Sequence, residues 1–244
     1  PTRDYTERML AAFGCDIAHG PGWAALRGGQ RLRAAEVRVP ADFSSAAFFI
    51  VAASLVPGSE LRLRAVGVHP RRTGLLRVLQ AMGADIRLQP VATPDARGEP
   101  LADLVVRHAP LHGVDVPVEV VPDMIDEFPA LCVAAAAAGG RTRISGASEL
   151  RVKESDRIAA MAAGLRTLGI AVEETPDGAS IDGGVLRGGT VDSHGDHRIA
   201  MAFAVAGQLA RGPVRIRAVD NVATSFPGFD ALARGAGFGL SAAG

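Results

Sequence analysis

An internal repeat constrains this chain more than any other feature: one unit of sequence recurs three times between Asp42 and Gly237. Each copy opens on an aspartate, runs through an Ala-rich apolar stretch, breaks at Gly or Pro, and then alternates briefly as a strand. A polar loop, a second helical stretch closed by glycine and a further strand follow. The first copy starts at Asp42-Phe-Ser-Ser, breaks at Pro57-Gly58, is predicted to form a strand over Leu61–Val66, and closes at Gly83. The second starts at Asp126, breaks at Gly139-Gly140, has its strand near Thr142–Ser145, and closes at Gly169. The third starts at Asp196, breaks at Gly212-Pro213, has its strand over Val214–Ala218, and reaches Gly237. From opening aspartate to closing glycine the spans are 41, 43 and 41 residues, too close an agreement for chance. Units of this kind bury their apolar faces by packing on one another.

Periodicity and punctuation support the helices. Leu75, Leu76, Leu79 and Met82 recur at helical spacing before Gly83, and Ile158, Met161, Leu165 and Leu168 do the same before Gly169. Glycine at that place suits the left-handed residue that ends many helices. These stripes signify core packing rather than chemistry. A half-copy precedes the first unit: Met9, Leu10 and Phe13 lead to Gly14 and a strand at Cys15-Asp-Ile-Ala18, without an opening helix. With Pro1 in place of an initiating methionine, the chain is expected to be part of a longer protein, cut in mid-unit.

Composition narrows the function classes. The chain is 48% hydrophobic over 244 residues, enough for a sizeable core. Its 26 acidic and 26 basic residues cancel, so it has no bulk field for nucleic acid and no polybasic run for a membrane surface. A charged ligand has to be held by a local cluster. Cys15 and Cys132 are its two cysteines; they suggest no disulfide framework and no zinc site. The apolar run Ala130–Ala138 is about half the ~20 residues that cross a bilayer, and no signal peptide is expected. A soluble cytoplasmic protein is expected. Lys153 is the only lysine among arginines, in keeping with a GC-rich coding bias. A compact ammonium that survives such a bias is a candidate for chemistry a guanidinium cannot replace.

Three charged clusters fall where the repeat puts helix N-termini, whose free N–H groups and dipole attract anions. If the units pack about a pseudo-threefold axis, these starts point to one end of the domain. Arg151-Val-Lys-Glu-Ser-Asp-Arg157 has a plain reading as a helix capped by Ser155 or Asp156 with a solvated charged face. The lone lysine, the adjacent Glu154 and the arginine at position 157 weigh toward a site. His194-Gly-Asp-His-Arg198 can be a turn capped by Asp196 or a histidine pair for a metal, although no third ligand follows at a recognisable spacing. Its functional reading makes Arg198 a planar clamp for a carboxylate or phosphate. Pro122-Asp-Met-Ile-Asp-Glu-Phe-Pro129 sets carboxylates before a helix of alanines, where Asp126 could simply be an N-cap, as Asp42 could in the first copy.

With these clusters in hand, the chain resembles the enolpyruvyl transferases, and among them the 5-enolpyruvylshikimate-3-phosphate synthases. The resemblance runs through Thr2-Arg-Asp-Tyr5, Asp42-Phe-Ser-Ser-Ala46, Met124-Ile-Asp-Glu-Phe-Pro129, Leu150-Arg-Val-Lys-Glu-Ser-Asp-Arg157, Asp196-His-Arg-Ile-Ala-Met201 and Thr224-Ser-Phe-Pro227. It covers essentially the whole chain as the C-terminal portion of such a protein. It implies an inside-out α/β domain of three βαβαββ repeats with pseudo-threefold symmetry, helices inside and sheets outside. Residues 1–35 would be the tail end of an N-terminal domain and residues 36–244 the C-terminal domain, with repeats at about 36–110, 111–185 and 186–244.

The implied reaction transfers the enolpyruvyl group of phosphoenolpyruvate to the 5-hydroxyl of shikimate 3-phosphate and releases phosphate. It calls for acid–base groups and a dense cationic clamp, and for no metal or organic cofactor. By motif, Asp126 matches the carboxylate beside the shikimate hydroxyl, Glu154 the group that exchanges protons with C3 of the donor, and Lys153 a lysine that bridges both substrates. Arg157 and Arg198 match arginines that hold phosphoenolpyruvate, His197 lines the same pocket, and Arg3 matches a contact to the phosphate of shikimate 3-phosphate. Thr224 stands where some members have a lysine, which brings the chain closer to the glyphosate-tolerant bacterial branch. The Ser-rich phosphate site and the N-terminal Lys and Arg of the family are absent, so the N-terminal domain is the expected partner and the chain alone is expected to be inactive. Two other readings compete: a UDP-N-acetylglucosamine enolpyruvyl transferase, and a catalytically silent binding or folding module.

Overall fold

The computed structural model describes residues 3–37, 39–91 and 99–241; Thr2 of the first quoted motif lies outside them. Helix α1 (Tyr5–Ala12) leads into an antiparallel hairpin of β1 (Ile17–Gly20) and β2 (Trp23–Leu26). The first repeat contains α2 (Phe43–Leu55), β3 (Glu60–Gly67), α3 (Gly74–Ala81), β4 (Asp85–Val91) and β5 (Leu101–Arg107). The second contains α4 (Phe128–Ala137), β6 (Arg141–Ile144), α5 (Arg157–Thr167), β7 (Ala171–Thr175) and β8 (Gly178–Asp182). The third contains β9 (Arg187–Asp192), α6 (His197–Gly207), β10 (Arg211–Arg217), the short α7 (Asn221–Ser225) and α8 (Phe229–Gly235).

The architecture is the inside-out arrangement, and its cause is compositional. In α2 every residue except Ser45 is buried, and in α4 every residue except Ala137. Helices apolar on all sides belong in the middle of a core. Alanine dominates them because small side chains let α2, α4 and α6 approach one another, and each touches the other two. Ser54, fully buried in α2, satisfies its hydroxyl by donating to the Ile50 carbonyl at 2.8 Å. The sheets lie outside: β3-β5-β4 and β6-β8-β7 are antiparallel, each with its last strand in the middle.

The second helix of each repeat ends as the sequence predicts. Gly83, Gly169 and Gly237 have φ of 101°, 86° and 96°, a region that penalises any side chain. Gly164 has a different task within α5, where a Cβ would stand 2.1 Å from the ring of Phe203 on α6. That glycine lets the second and third repeats close on each other.

Three details depart from the expectation. Among the described residues the opening strands of the first two repeats are isolated parallel bridges, Ala41 with Val66, then His112 with Gly139 and Asp115 with Arg143, whereas the third has a full parallel pair, β9 with β10. Gly212-Pro213 does not separate helix from strand. It sits inside β10 as an irregularity between Arg211 and Val214, because proline cannot donate to the ladder and the register shifts around it. Among the described residues the third repeat also lacks counterparts of β4 and β5, so it is βαβα rather than βαβαββ. Among the described residues no helix is long and apolar enough to cross a membrane.

Candidate active site

The charged clusters meet where α2, α4 and α6 begin. Asp42 caps α2 by accepting from the Ser45 N–H at 2.8 Å, Asp196 caps α6 by accepting from the Arg198 N–H at 2.9 Å, and Asp156 caps α5 by accepting from the Ala159 N–H at 2.9 Å. Asp126 is different. It lies in the 3-10 turn Ile125–Glu127, one residue ahead of the cap position of α4, which belongs to Glu127. Pro129 in the first turn has no N–H to satisfy, so α4 can start without a side-chain cap and Asp126 is released from that duty.

The Asp126 carboxylate faces a ring of cations. Arg3 Nη2 lies 3.5 Å from it and Arg157 Nη1 3.6 Å, while Arg198 donates to the Asp126 backbone carbonyl at 3.1 Å. Burial pushes the carboxyl upward, but Arg198, Lys153, Arg157 and Arg3 together outweigh it and hold the group below its ordinary value. Asp126 is therefore ionised at neutral pH.

Arg157 is the hub. Its side chain is 1% exposed, Nε donates to Asp196 at 2.8 Å and Nη2 to Glu154 at 2.5 Å. Asp196 is fully buried and also accepts from Ser155 Oγ at 3.1 Å. Arg157 Nη1 is buried with no hydrogen-bond partner among the described residues. An unpaired charged donor is costly in a dry site, and here the Asp126 carboxylate 3.6 Å away compensates it by charge rather than by a hydrogen bond.

The other expected residues take up supporting positions. Lys153 does not touch Asp126; its Nζ meets Glu149 at 2.5 Å across one turn. Glu154 is exposed beyond its pair with Arg157. His197 opens α6, half-buried, where burial and then Arg198 push its imidazole below the usual range. Arg151, in the same cluster, pairs with the α5 cap Asp156 at 2.9 Å and ties the loop to the second sheet through the Thr175 carbonyl of β7 at 2.5 Å. Thus Arg3, Asp126, Glu154, Arg157 and Arg198 converge directly, and Lys153 and His197 flank them.

The structure adds residues that the motifs did not single out. Arg72 donates to Asp42 at 3.1 Å and to Ser44 Oγ at 2.8 Å; Ser44 in turn donates to Glu127. Glu127 is 3% exposed and lies 3.9 Å from Arg198, so one polar chain ties the starts of α2, α4 and α6 together. Burial pushes the Glu127 carboxyl up, with Ser44, Arg198 and Arg72 opposing. The doublet Asp126-Glu127 before Phe-Pro was the available signal for Glu127. Arg72 had none, since its partners lie in other elements.

The family described as EPSP synthase (3-phosphoshikimate 1-carboxyvinyltransferase) matches residues 1–232. The 3-phosphoshikimate 1-carboxyvinyltransferase of Xanthomonas campestris pv. campestris is 70% identical over 242 residues, which is 99% of this chain and 55% of that protein. Its counterpart in Xanthomonas euvesicatoria pv. vesicatoria is 69% identical over 244 residues, 100% of this chain and 55% of its own length. The chain thus spans about half the length of these curated relatives. Among solved structures, EPSP synthase from Acinetobacter baumannii superposes with a TM-score of 0.92 at 47% identity, covering 98% of this chain and 55% of that one. The enolpyruvyl transferase NikO from Streptomyces tendae, at 20% identity and a TM-score of 0.73 over 95% of this chain and 52% of its own, shares the fold.

Proposed function

Since the chain belongs to the EPSP synthase family, we propose that it forms one wall of a cleft in which enolpyruvyl is transferred from phosphoenolpyruvate to the 5-hydroxyl of shikimate 3-phosphate, with release of phosphate. Residues 1–35 close an N-terminal domain, residues 36–244 form the C-terminal one, and the reaction takes place in the cytoplasm. The observation that carries this reading is the convergence of Arg3, Arg157 and Arg198 on the ionised Asp126, with Arg3 3.5 Å and Arg157 3.6 Å from its carboxylate.

In this reading Arg157 and Arg198 hold phosphoenolpyruvate, Arg198 as a planar fork and Arg157, whose Nε and Nη2 are bound to Asp196 and Glu154, chiefly by its charge. Arg3 meets the phosphate of the acceptor, and His197 lines the donor pocket. Asp126 takes the proton of the attacking hydroxyl. Its low proton affinity before binding is no obstacle, because the cations that lower it are those the two anionic substrates engage. Once the substrate anions engage Arg198 and Arg3, the carboxylate becomes the stronger base. Lys153 is the compact cation between both substrates, and Glu154, held by Arg157, exchanges the proton at C3 of the donor.

The test is Asp126→Asn in the full-length protein. An amide keeps the shape but cannot accept the hydroxyl proton, so phosphoenolpyruvate should still bind while kcat falls by about 10²-fold or more. Equal kcat in variant and parent would remove Asp126 from the chemistry.

A further inference from the structure

Arg3 is the one proposed substrate contact that lies outside the repeats. Helix α1 buries no residue against the repeats, so within this chain its attachment to them is polar. An open groove of about 860 Å³ separates this segment from the loop His69–Arg71, with Arg3, Asp4, Trp23 and His69 among its lining residues.

Polar contacts nevertheless cross that groove at its inner end. Asp4 Oδ1 accepts from Arg8 Nε at 2.9 Å and from His69 Nε2 at 2.7 Å. His69 is buried, and its Nδ1 accepts the Arg71 backbone N–H at 3.0 Å, which leaves the ring proton on Nε2, directed at Asp4. Arg8 and His69 together hold the Asp4 carboxyl at about 2, against some desolvation, so the acceptor stays charged at neutral pH. Tyr5 donates its hydroxyl to Glu99 at 2.7 Å, and its ring packs on His69 with centroids 5.0 Å apart. Gly67 makes room for this carboxylate, because a Cβ there would stand 2.4 Å from Glu99 Oε1. His69 follows β3 and Glu99 precedes β5, so both anchors belong to the first repeat.

We propose that Asp4, Tyr5, His69 and Glu99 form a latch that sets Arg3 against Asp126, which makes these four the positioning residues of the acceptor-binding arginine. The inference rests on the functional reading of Arg3 given above. The side chains of the two residues after Arg3 are tied to the first repeat by part-buried hydrogen bonds to His69 and Glu99, which narrows the backbone freedom under Arg3. Loss of the latch would free the backbone under the guanidinium. Misplacement of a binding group by about 1 Å can cost as much as 10²-fold.

Two measurements test this. In the full-length protein, His69→Ala and Tyr5→Phe should raise KM for shikimate 3-phosphate by about tenfold while KM for phosphoenolpyruvate stays within about twofold. His69→Gln, which returns a donor near the Nε2 position, should recover part of the loss. In this chain alone, amide hydrogen exchange over residues 3–12 should accelerate in His69→Ala, with α2, α4 and α6 unchanged. Unaltered acceptor KM, or equal rises in both KM values with unaltered exchange, overturns the latch. A full-length parent without transferase activity would overturn the functional reading instead, and exchange in the isolated chain would still decide whether the latch exists.

Discussion

Removal of the Arg157 guanidinium is the perturbation whose consequence follows most directly from the geometry. Arg157→Met keeps much of the volume but strips the buried Asp196 of its 2.8 Å partner, and Asp196 itself is fully buried. Deleting one member of a buried ion pair typically costs about 3–5 kcal/mol, because the remaining charge is left without compensation. Asp196 retains Ser155 Oγ at 3.1 Å and the Arg198 N–H at 2.9 Å, which places the expected loss at the lower end, about 3 kcal/mol. The pair with Glu154 adds little, since that carboxylate is exposed. For a chain of this size, about 3 kcal/mol corresponds to a fall in Tm of roughly 6–12 °C. Urea and thermal unfolding of the isolated chain measure it. Asp196→Asn in the Arg157→Met background removes the orphaned charge while keeping a good N-cap, so the double variant should be more stable than Arg157→Met alone. A single variant within about 1 kcal/mol of the parent would show that the hub is not a buried, coupled pair.

Other variants probe separate parts of the account. Gly164→Ala should destabilise by about 1–2 kcal/mol in urea, overpacking against buried Phe203 outweighing the helix propensity gained; parental stability would refute the close approach of α5 and α6. Glu127→Gln tests the buried carboxyl by linkage. With the folded pKa above 4.5, the folded state holds its proton longer than the unfolded one, so stability is lost as pH rises above that value. The advantage of the Gln variant over the parent should therefore grow between pH 4.5 and neutral pH, and a flat difference would contradict the burial argument. Lys153→Arg in the full-length protein keeps the charge but should lower kcat, since a broad fork cannot take the place of a compact ammonium; an unimpaired variant would mean that charge alone matters there.

Local chemistry was what made this fold readable. Gly83, Gly169 and Gly237 announced the ends of three equivalent helices because a left-handed residue is required there, and all three have positive φ. Asp42 and Asp196 were readable as caps for the same reason, since a cap acts on N–H groups two or three residues away. Asp126 looked like a third cap and is not one: Pro129 moved the start of α4 and handed the cap position to Glu127. Gly212-Pro213 looked like a break because Gly and Pro usually punctuate, yet here the ladder absorbs them as an irregularity. What escaped the sequence is long-range. Arg72 finds Ser44 28 positions away, Tyr5 finds Glu99 94 positions away, and Ser44 finds Glu127 83 positions away. No local pattern encodes such pairs, since they exist only after the repeats have packed.

Under the proposed function this chain carries one wall of an enolpyruvyl-transfer site and depends on a second wall to exclude water around its cations. Arg157 and Arg198 of this wall alone would meet phosphoenolpyruvate in screened, high-dielectric surroundings. Phosphate release from shikimate 3-phosphate and phosphoenolpyruvate, measured for this chain alone and after mixing with the separately expressed remainder of the protein, tests it most directly. The expected result is no turnover from the isolated, folded chain and turnover on mixing, abolished by Asp126→Asn. Robust release by the chain alone, or release on mixing that Asp126→Asn leaves untouched, would contradict the account.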